Sequence, residues 1–319
     1  MRKSLAYVIV LAAACGKDPG TTMGGADAPN GSNTGGTPAF EIKSPDIALP
    51  AGQEFTKCFY FHTSNTSTVP VDKWISDMTP GSHHLILLLN PGGSQPADGT
   101  IDENCSFFNG SLTNLPAWTF AAAQPHVEED LPTDDGAGKP LAQNIPANTA
   151  GYVQMHYLNA GDTDLMVHID VKAYALPANT AYTQTDAYIT YVKGFSVPPG
   201  PSTVSGSCPV PSGAKFWQMT SHTHKQGSEV KINDGSSMLY DSTDWEHPMV
   251  KQWTSTPFYT FTSPNLSWTC AYNNPGSTTI QEGQSAATNE MCMANEYFFP
   301  ATGPKINVVN GSGGTCFSL

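Results

Sequence analysis

The chain has 319 residues, with 14 Lys+Arg against 27 Asp+Glu and a formal net charge of −13. A surface this acidic repels phosphate backbones, which excludes a nucleic-acid binder, and no apolar run approaches the roughly 18 residues of a spanning helix, which excludes a polytopic membrane protein. Only 13% of residues are charged, while Gly (29), Pro (26), Thr, Ser and Tyr are plentiful, a composition of many short strands joined by turns rather than of a helical bundle.

In chain order, Met1-Arg2-Lys3 is a short basic start, and Leu5–Ala14 (LAYVIVLAAA) is apolar but too short to remain in a bilayer. Together they have the form of a secretory signal. Ala12-Ala13-Ala14 then lead into Cys15. This is similar to a bacterial lipobox, in which cleavage falls before the cysteine and the thiol takes the lipid. The leucine usual three places before that cysteine is displaced by one, to Leu11. The alternative is an ordinary signal peptide with an incidental cysteine. Residues 16–37 hold no aromatic residue and are rich in Gly, Thr and Asn, so they read as a flexible tether. The expectation is a signal peptide with its lipidation cysteine over 1–15, a linker over 16–37, and a bacterial, extracytoplasmic, lipid-anchored protein of the cell envelope. It would touch the membrane only through that anchor. In such a host the sequons at Asn65 and Asn109 carry no meaning.

Seven cysteines are present. Setting Cys15 aside leaves Cys58, Cys105, Cys208, Cys270, Cys292 and Cys316, an even set that suggests three disulfides in an exported chain. Spacing alone leaves the pairing open.

Strand-like runs recur from Pro38 onward: Gly151–Tyr157, Leu165–Tyr174, Ala187–Val192 and Lys215–Thr220 mix β-branched and aromatic residues with polar alternation. Asn233-Asp234-Gly235 is a hairpin-turn signal. No long segment follows a helical period. The Pro-rich stretch Val197–Pro211 is the best candidate for a domain junction, and Pro125–Pro146 reads as acidic, solvated loop. The sequence therefore predicts an all-β protein of two tandem antiparallel β-sandwich, jelly-roll-like domains, over 38–197 and 198–319.

The chemistry lies in histidine and methionine. His83-His84 falls in GSHHLILLL, His156 in VQMHYLN, and His222 and His224 in S-H-T-H. Residues i and i+2 of a strand share a face, so His222 and His224 can offer two imidazoles to one metal. Adjacent His83 and His84 point to opposite faces of a regular strand. Both reach one metal only if the backbone bends, for which Gly81 is suited, or if one ligates through Nδ1. None of these motifs is specific alone. They contain no carboxylate, unlike two-His-one-carboxylate iron sites or typical catalytic zinc sites, and imidazole with thioether favours copper. The thioether candidate is Met291, beside Cys292; on its own it would be ordinary core packing. His168 reads as a strand histidine with a satisfied hydrogen bond, His62 and His126 as exposed, and His247 as a turn residue that could support a metal site.

Taken in order, His83-His84, Gln154-Met155-His156-Tyr157, His222-Thr223-His224 and Glu290-Met291-Cys292 resemble the copper type II, ascorbate-dependent monooxygenases, the family of peptidylglycine alpha-hydroxylating and dopamine beta-monooxygenases. The resemblance covers nearly the whole folded part. It implies an electron-storing copper on His83, His84 and His156, and an oxygen-activating copper on His222, His224 and Met291, the latter three being the catalytic set. The two trios would face each other across a gap between the sandwiches. It further implies the disulfides Cys58–Cys105, Cys208–Cys316 and Cys270–Cys292, two copper ions, ascorbate or a similar reductant, dioxygen and a small organic substrate hydroxylated at a C–H bond. Gln154 matches a family glutamine near the first site. The family's clamp for a peptide carboxylate falls on Thr220, Met293 and Asn295 here, so peptide amidation is not expected. The segment Tyr297–Pro300 looks more like that of the dopamine enzyme, too short a likeness to set the substrate. A monomer is expected. Two other readings compete: a non-catalytic copper-binding lipoprotein, and a carbohydrate- or protein-binding sandwich whose histidines are structural.

Overall fold

Alternation of apolar and polar side chains lays out the strands of the first half. Phe40–Lys43 buries Phe40 and Ile42 and exposes Glu41 and Lys43, and Ile169–Ala175 buries Ile169, Val171 and Ala173. The computed structural model describes residues 36–90, 94–103, 116–283, 285 and 288–318. The expected signal peptide with Cys15, nearly all of the linker, Cys105 and Asn109 lie outside the described residues. All described regular structure is β, without an α-helix among the described residues.

Two sheets form the first sandwich. One runs Phe40–Lys43, Ile169–Ala175, Val69–Met78, Leu141–Ile145 and Thr183–Gln184, with His126–Asp130 also paired to Val69–Met78. The other runs Ile101–Asp102, Glu54–His62, Ala150–Leu158, Ser82–Leu89 and Ala117–Ala122. Trp74 of the first sheet stacks on Phe120 of the second, ring centroids 5.6 Å apart, and Phe40 meets Trp74 edge-on at 5.9 Å.

The second sandwich faces Lys215–His222, Met293–Phe299, Asp186–Lys193 and Lys305–Asn310 against Gly200–Pro209, Asn265–Asn274, Gly227–Asp234 and Ser237–Ser242. Trp268, Phe216 and Tyr240 fill its core. Gly235, at φ 58°, closes the hairpin between Gly227–Asp234 and Ser237–Ser242. Among the described residues the named strands pair antiparallel except Thr183–Gln184 beside Leu141–Ile145 and Asp186–Lys193 beside Lys305–Asn310; the isolated bridge Glu282–Glu290 is parallel as well. Both sandwiches belong to one unit, Asn33–Leu319. The first core continues through Trp217, Met291, Met293, Tyr297 and Phe299 of the second.

Three expectations shift. The Pro-rich Val197–Pro211 is no linker, because Gly200–Pro209 is a ten-residue strand on Asn265–Asn274. It is an edge strand, where prolines such as Pro201 can be carried without losing a ladder hydrogen bond. The chain instead passes between sandwiches near Thr185, so Asp186–Lys193, within the span 38–197, lies in the second sandwich. The acidic stretch Pro125–Pro146 holds two strands, His126–Asp130 and Leu141–Ile145; in the former, exposed His126, Glu128 and Asp130 alternate with the half-buried Val127 and Glu129 of a sheet edge.

Two disulfides are complete among the described residues. Cys208–Cys316 fastens the last strand, Cys316–Ser318, to the facing sheet, and Cys270–Cys292 closes a separation of 22 residues. Both are pairs the resemblance implies. Cys58 is disulfide-bonded as well, but Cys105, its expected partner, is outside the described residues.

Candidate metal centre

His83, His84 and His156 come from neighbouring strands of the first sandwich. His156 pairs with His84 and Tyr157 with Ser82, so His83 is an extra residue on its strand, a β-bulge. The bulge removes the obstacle posed by adjacent histidines, because it turns both rings to one side. Gly81 prepares it at φ 92°, a region that Cβ-bearing residues avoid, and the Leu158 N–H donates to the Gly81 carbonyl at 2.8 Å. One ligand nitrogen from each of the three imidazoles lies within 4.8 Å of the others. His83 Nδ1 and His84 Nδ1 are 2.9 Å apart. His156 Nε2 lies 2.6 Å from Glu54 Oε1, while its Nδ1 is buried without a partner.

His222 ends the strand Lys215–His222, and His224 follows just beyond it. Their rings are 5.2 Å apart and nearly perpendicular, at 87°. The buried carboxylate of Glu290 straps this turn: its oxygens accept from the His224 N–H at 2.9 Å and the Gln226 N–H at 2.8 Å. Burial pushes Glu290 up to about 7, against those donors, which pull it down. His224 Nδ1 is 2.9 Å from the Asn289 carbonyl. A carbonyl only accepts, so Nδ1 carries the hydrogen and Nε2 is left as the donor atom. Met291 is buried in the core shared by the two sandwiches, two residues before Met293, the cross-strand partner of His222. The Tyr272 hydroxyl donates to its carbonyl at 2.6 Å.

The two sets adjoin. The rings of His84 and His222 are 5.8 Å apart, so the five imidazoles form one continuous seam where the resemblance implies a gap. A loop of the second sandwich reaches over the first trio: Trp245 stacks on His83 at 5.3 Å, His247 lies at 6.0 Å, and Glu246 Oε1 is 3.3 Å from His83 Nε2 without hydrogen-bond alignment. Burial, then the neighbouring imidazoles, lowers His83 to about 4. Burial likewise lowers His224 to about 4, despite its hydrogen bond to Asn289, and holds His84 and His222 well below the usual histidine range. These four rings are neutral at pH 7, the form in which imidazole binds metal.

A cleft of about 350 Å³ opens beside His84 and His222, between Trp118 and Glu129 of the first sandwich and Gln218, Thr220 and Asn295 of the second. Burial pushes Glu129 up to about 7, against a hydrogen bond from Gln218. Both polar atoms of the Asn295 side chain are buried and unpartnered. The Tyr297 hydroxyl donates across the cleft floor to the Thr119 carbonyl at 3.2 Å. Thr220 and Asn295 thus line the cleft as cross-strand partners, whereas Met293 is core.

Gln154 is buried on the His156 strand. His62 and His126 are exposed and bound to Asp98 and Asp77. His168 sits between two strands, its Nδ1 2.8 Å from Asp46. Reading the sequence missed Glu54, the strap role of Glu290, Glu129 and the loop bearing Trp245 and Glu246. Glu290 had a signal in its place before Met291; the others come together only through pairing between distant strands.

No protein-family model matches the chain, and no curated protein does. Among solved structures it is similar to the major capsid protein P2 from bacteriophage PM2, at 9% identity and a TM-score of 0.30, covering 81% of this chain and 96% of that one. That overlap is too loose to bear on function.

Proposed function

We propose that the protein is a copper-dependent monooxygenase hydroxylating a C–H bond of a small organic substrate, with dioxygen and a one-electron reductant such as ascorbate. The observation that carries this reading is the convergence of five imidazoles from two sandwiches beside a cleft, with a buried thioether two residues before the adjoining strand Met293–Phe299. The residues fit copper: four of the rings are held neutral, His156 Nδ1 is an orphaned donor, and His224 Nε2 is left free by the Asn289 contact. His83, His84 and His156 would hold one ion, and His222, His224 and Met291 the other. Bound copper supplies one-electron transfer and dioxygen reduction. Overall, R–H, O₂, two electrons and two protons give R–OH and H₂O.

The chain's own residues do the rest. Trp118 and Tyr297 wall the cleft, and no Lys or Arg lines it among the described residues. The single arginine of the whole sequence is Arg2. A carboxylate-terminated substrate therefore lacks a counter-ion, which supports a neutral or cationic one. The disulfides suit an oxidising, extracytoplasmic setting. Mass spectrometry of the mature N-terminus tests lipidation at Cys15.

The test is product formation from isotope-labelled dioxygen across a substrate panel, with copper and ascorbate. Labelled product is expected from the wild type and none from Met291→Ala, which should still bind copper at the first trio. A copper-loaded chain giving no labelled product would leave the second reading, a copper-binding lipoprotein. The observation favouring that alternative is the close contact of His84 with His222, which holds the donors as one enclosed cluster.

A further inference from the structure

We propose that Glu54 is the positioning residue of the first trio: its carboxylate fixes the ring of His156 so that Nδ1, and not Nε2, faces the metal. The inference rests on the copper reading above and specifies how that site is built. Glu54 opens the strand Glu54–His62, where Leu158 is its cross-strand partner and His156 pairs with Thr56. Glu54 is therefore the diagonal neighbour of His156, a separation that a glutamate side chain can bridge. It does so, with Oε1 at 2.6 Å from Nε2.

A carboxylate accepts and cannot donate, so the hydrogen is on Nε2. In neutral imidazole, the form that binds metal, the lone pair is then on Nδ1, in a ring whose side chain is only 3% exposed. That Nδ1 has no hydrogen-bond partner. A buried acceptor left unpaired is costly, and the fold retains it where one nitrogen each of His83, His84 and His156 gathers within 4.8 Å. Ligation by Nδ1 uses the orphaned lone pair. A carboxylate on the far nitrogen fixes the tautomer and raises the basicity of the ligand, the arrangement that outer partners give metal-bound histidines. A merely structural ion pair between adjacent strands would leave the buried lone pair without a use.

The experiment compares wild type, Glu54→Gln and Glu54→Ala in the full chain. Cu(I) affinity at the first trio is measured by competition with a chromogenic chelator in a His222→Ala/His224→Ala background, and the coordinating nitrogen of His156 is read by long-range ¹H–¹⁵N NMR with Cu(I) bound. The wild type is expected to ligate through Nδ1. Glu54→Ala should weaken Cu(I) about 10- to 100-fold and lose the single Nε2–H tautomer. Glu54→Gln, which keeps an acceptor without the charge, should keep the tautomer and recover part of the affinity. Glu103→Ala, which removes an exposed ion pair to Lys57 on the same sandwich, should change neither. Ligation through Nε2, or unchanged affinity and tautomer in Glu54→Ala, overturns the role of Glu54 and leaves the copper site standing. A wild-type chain that binds no Cu(I) at these histidines overturns both.

Discussion

Asp186 begins the strand by which the chain enters the second sandwich, and burial pushes its carboxyl from an ordinary 3.8 up to about 6, despite a hydrogen bond from Gln184. Between pH about 4 and about 6 the unfolded chain has released a proton that the folded chain still holds. Stability contributed here is thus present in acid, falls through that window, and stays lowered above it. Asp186→Asn should raise stability at pH 8 by on the order of 1 kcal/mol, with the gain disappearing below pH about 4. Urea unfolding at the two pH values checks it, and an equal effect at both would refute the burial argument. The charge on this residue was visible in the sequence, but its cost was not, because the cost depends on what packs around it. The same holds for Glu129, and the role of Glu54 was equally hidden, because its partner His156 lies on a strand a hundred or so residues away.

Among elements, the strands were legible because their alternation and their β-branched and aromatic residues are local properties. The run Gly151–Tyr157 falls inside the strand Ala150–Leu158, and Leu165–Tyr174 is one strand pattern interrupted at His168. The bulge at His83 was not legible, since one additional residue leaves no mark in composition; only the neighbouring Gly81 hinted at a bend. That glycine offers a direct test. A methyl group there would sit 3.2 Å from Leu165 Cδ1 and 3.3 Å from the Leu158 carbonyl, in a backbone region costly to L-residues. Gly81→Ala should destabilise the fold by about 1–2 kcal/mol and displace His83 relative to His84. Thermal unfolding gives the first effect. Loss of Cu(I) binding beyond that of an equally destabilised core variant gives the second; parallel losses would mean that the bulge does not depend on Gly81.

For the whole molecule, all-β layering followed from composition, whereas the division into halves did not. Proline suggested a junction at 197/198, yet most of that stretch is the edge strand Gly200–Pro209, and Asp186–Lys193 lies between Met293–Phe299 and Lys305–Asn310. A fragment beginning at Pro198 lacks the middle of its principal sheet and should be insoluble or unfolded; cooperative unfolding of that fragment would contradict the topology. The seam of imidazoles between the layers also bears on which ions the protein accepts. Calcium and magnesium seek oxygen donors and have little reason to settle among nitrogen atoms. Nickel and zinc take imidazole readily, so affinity resin and growth medium would decide the initial cargo of purified material. Copper(II) outranks both in the order of stabilities of such complexes, and stripping the chain before reloading it is the condition under which its native preference can be read.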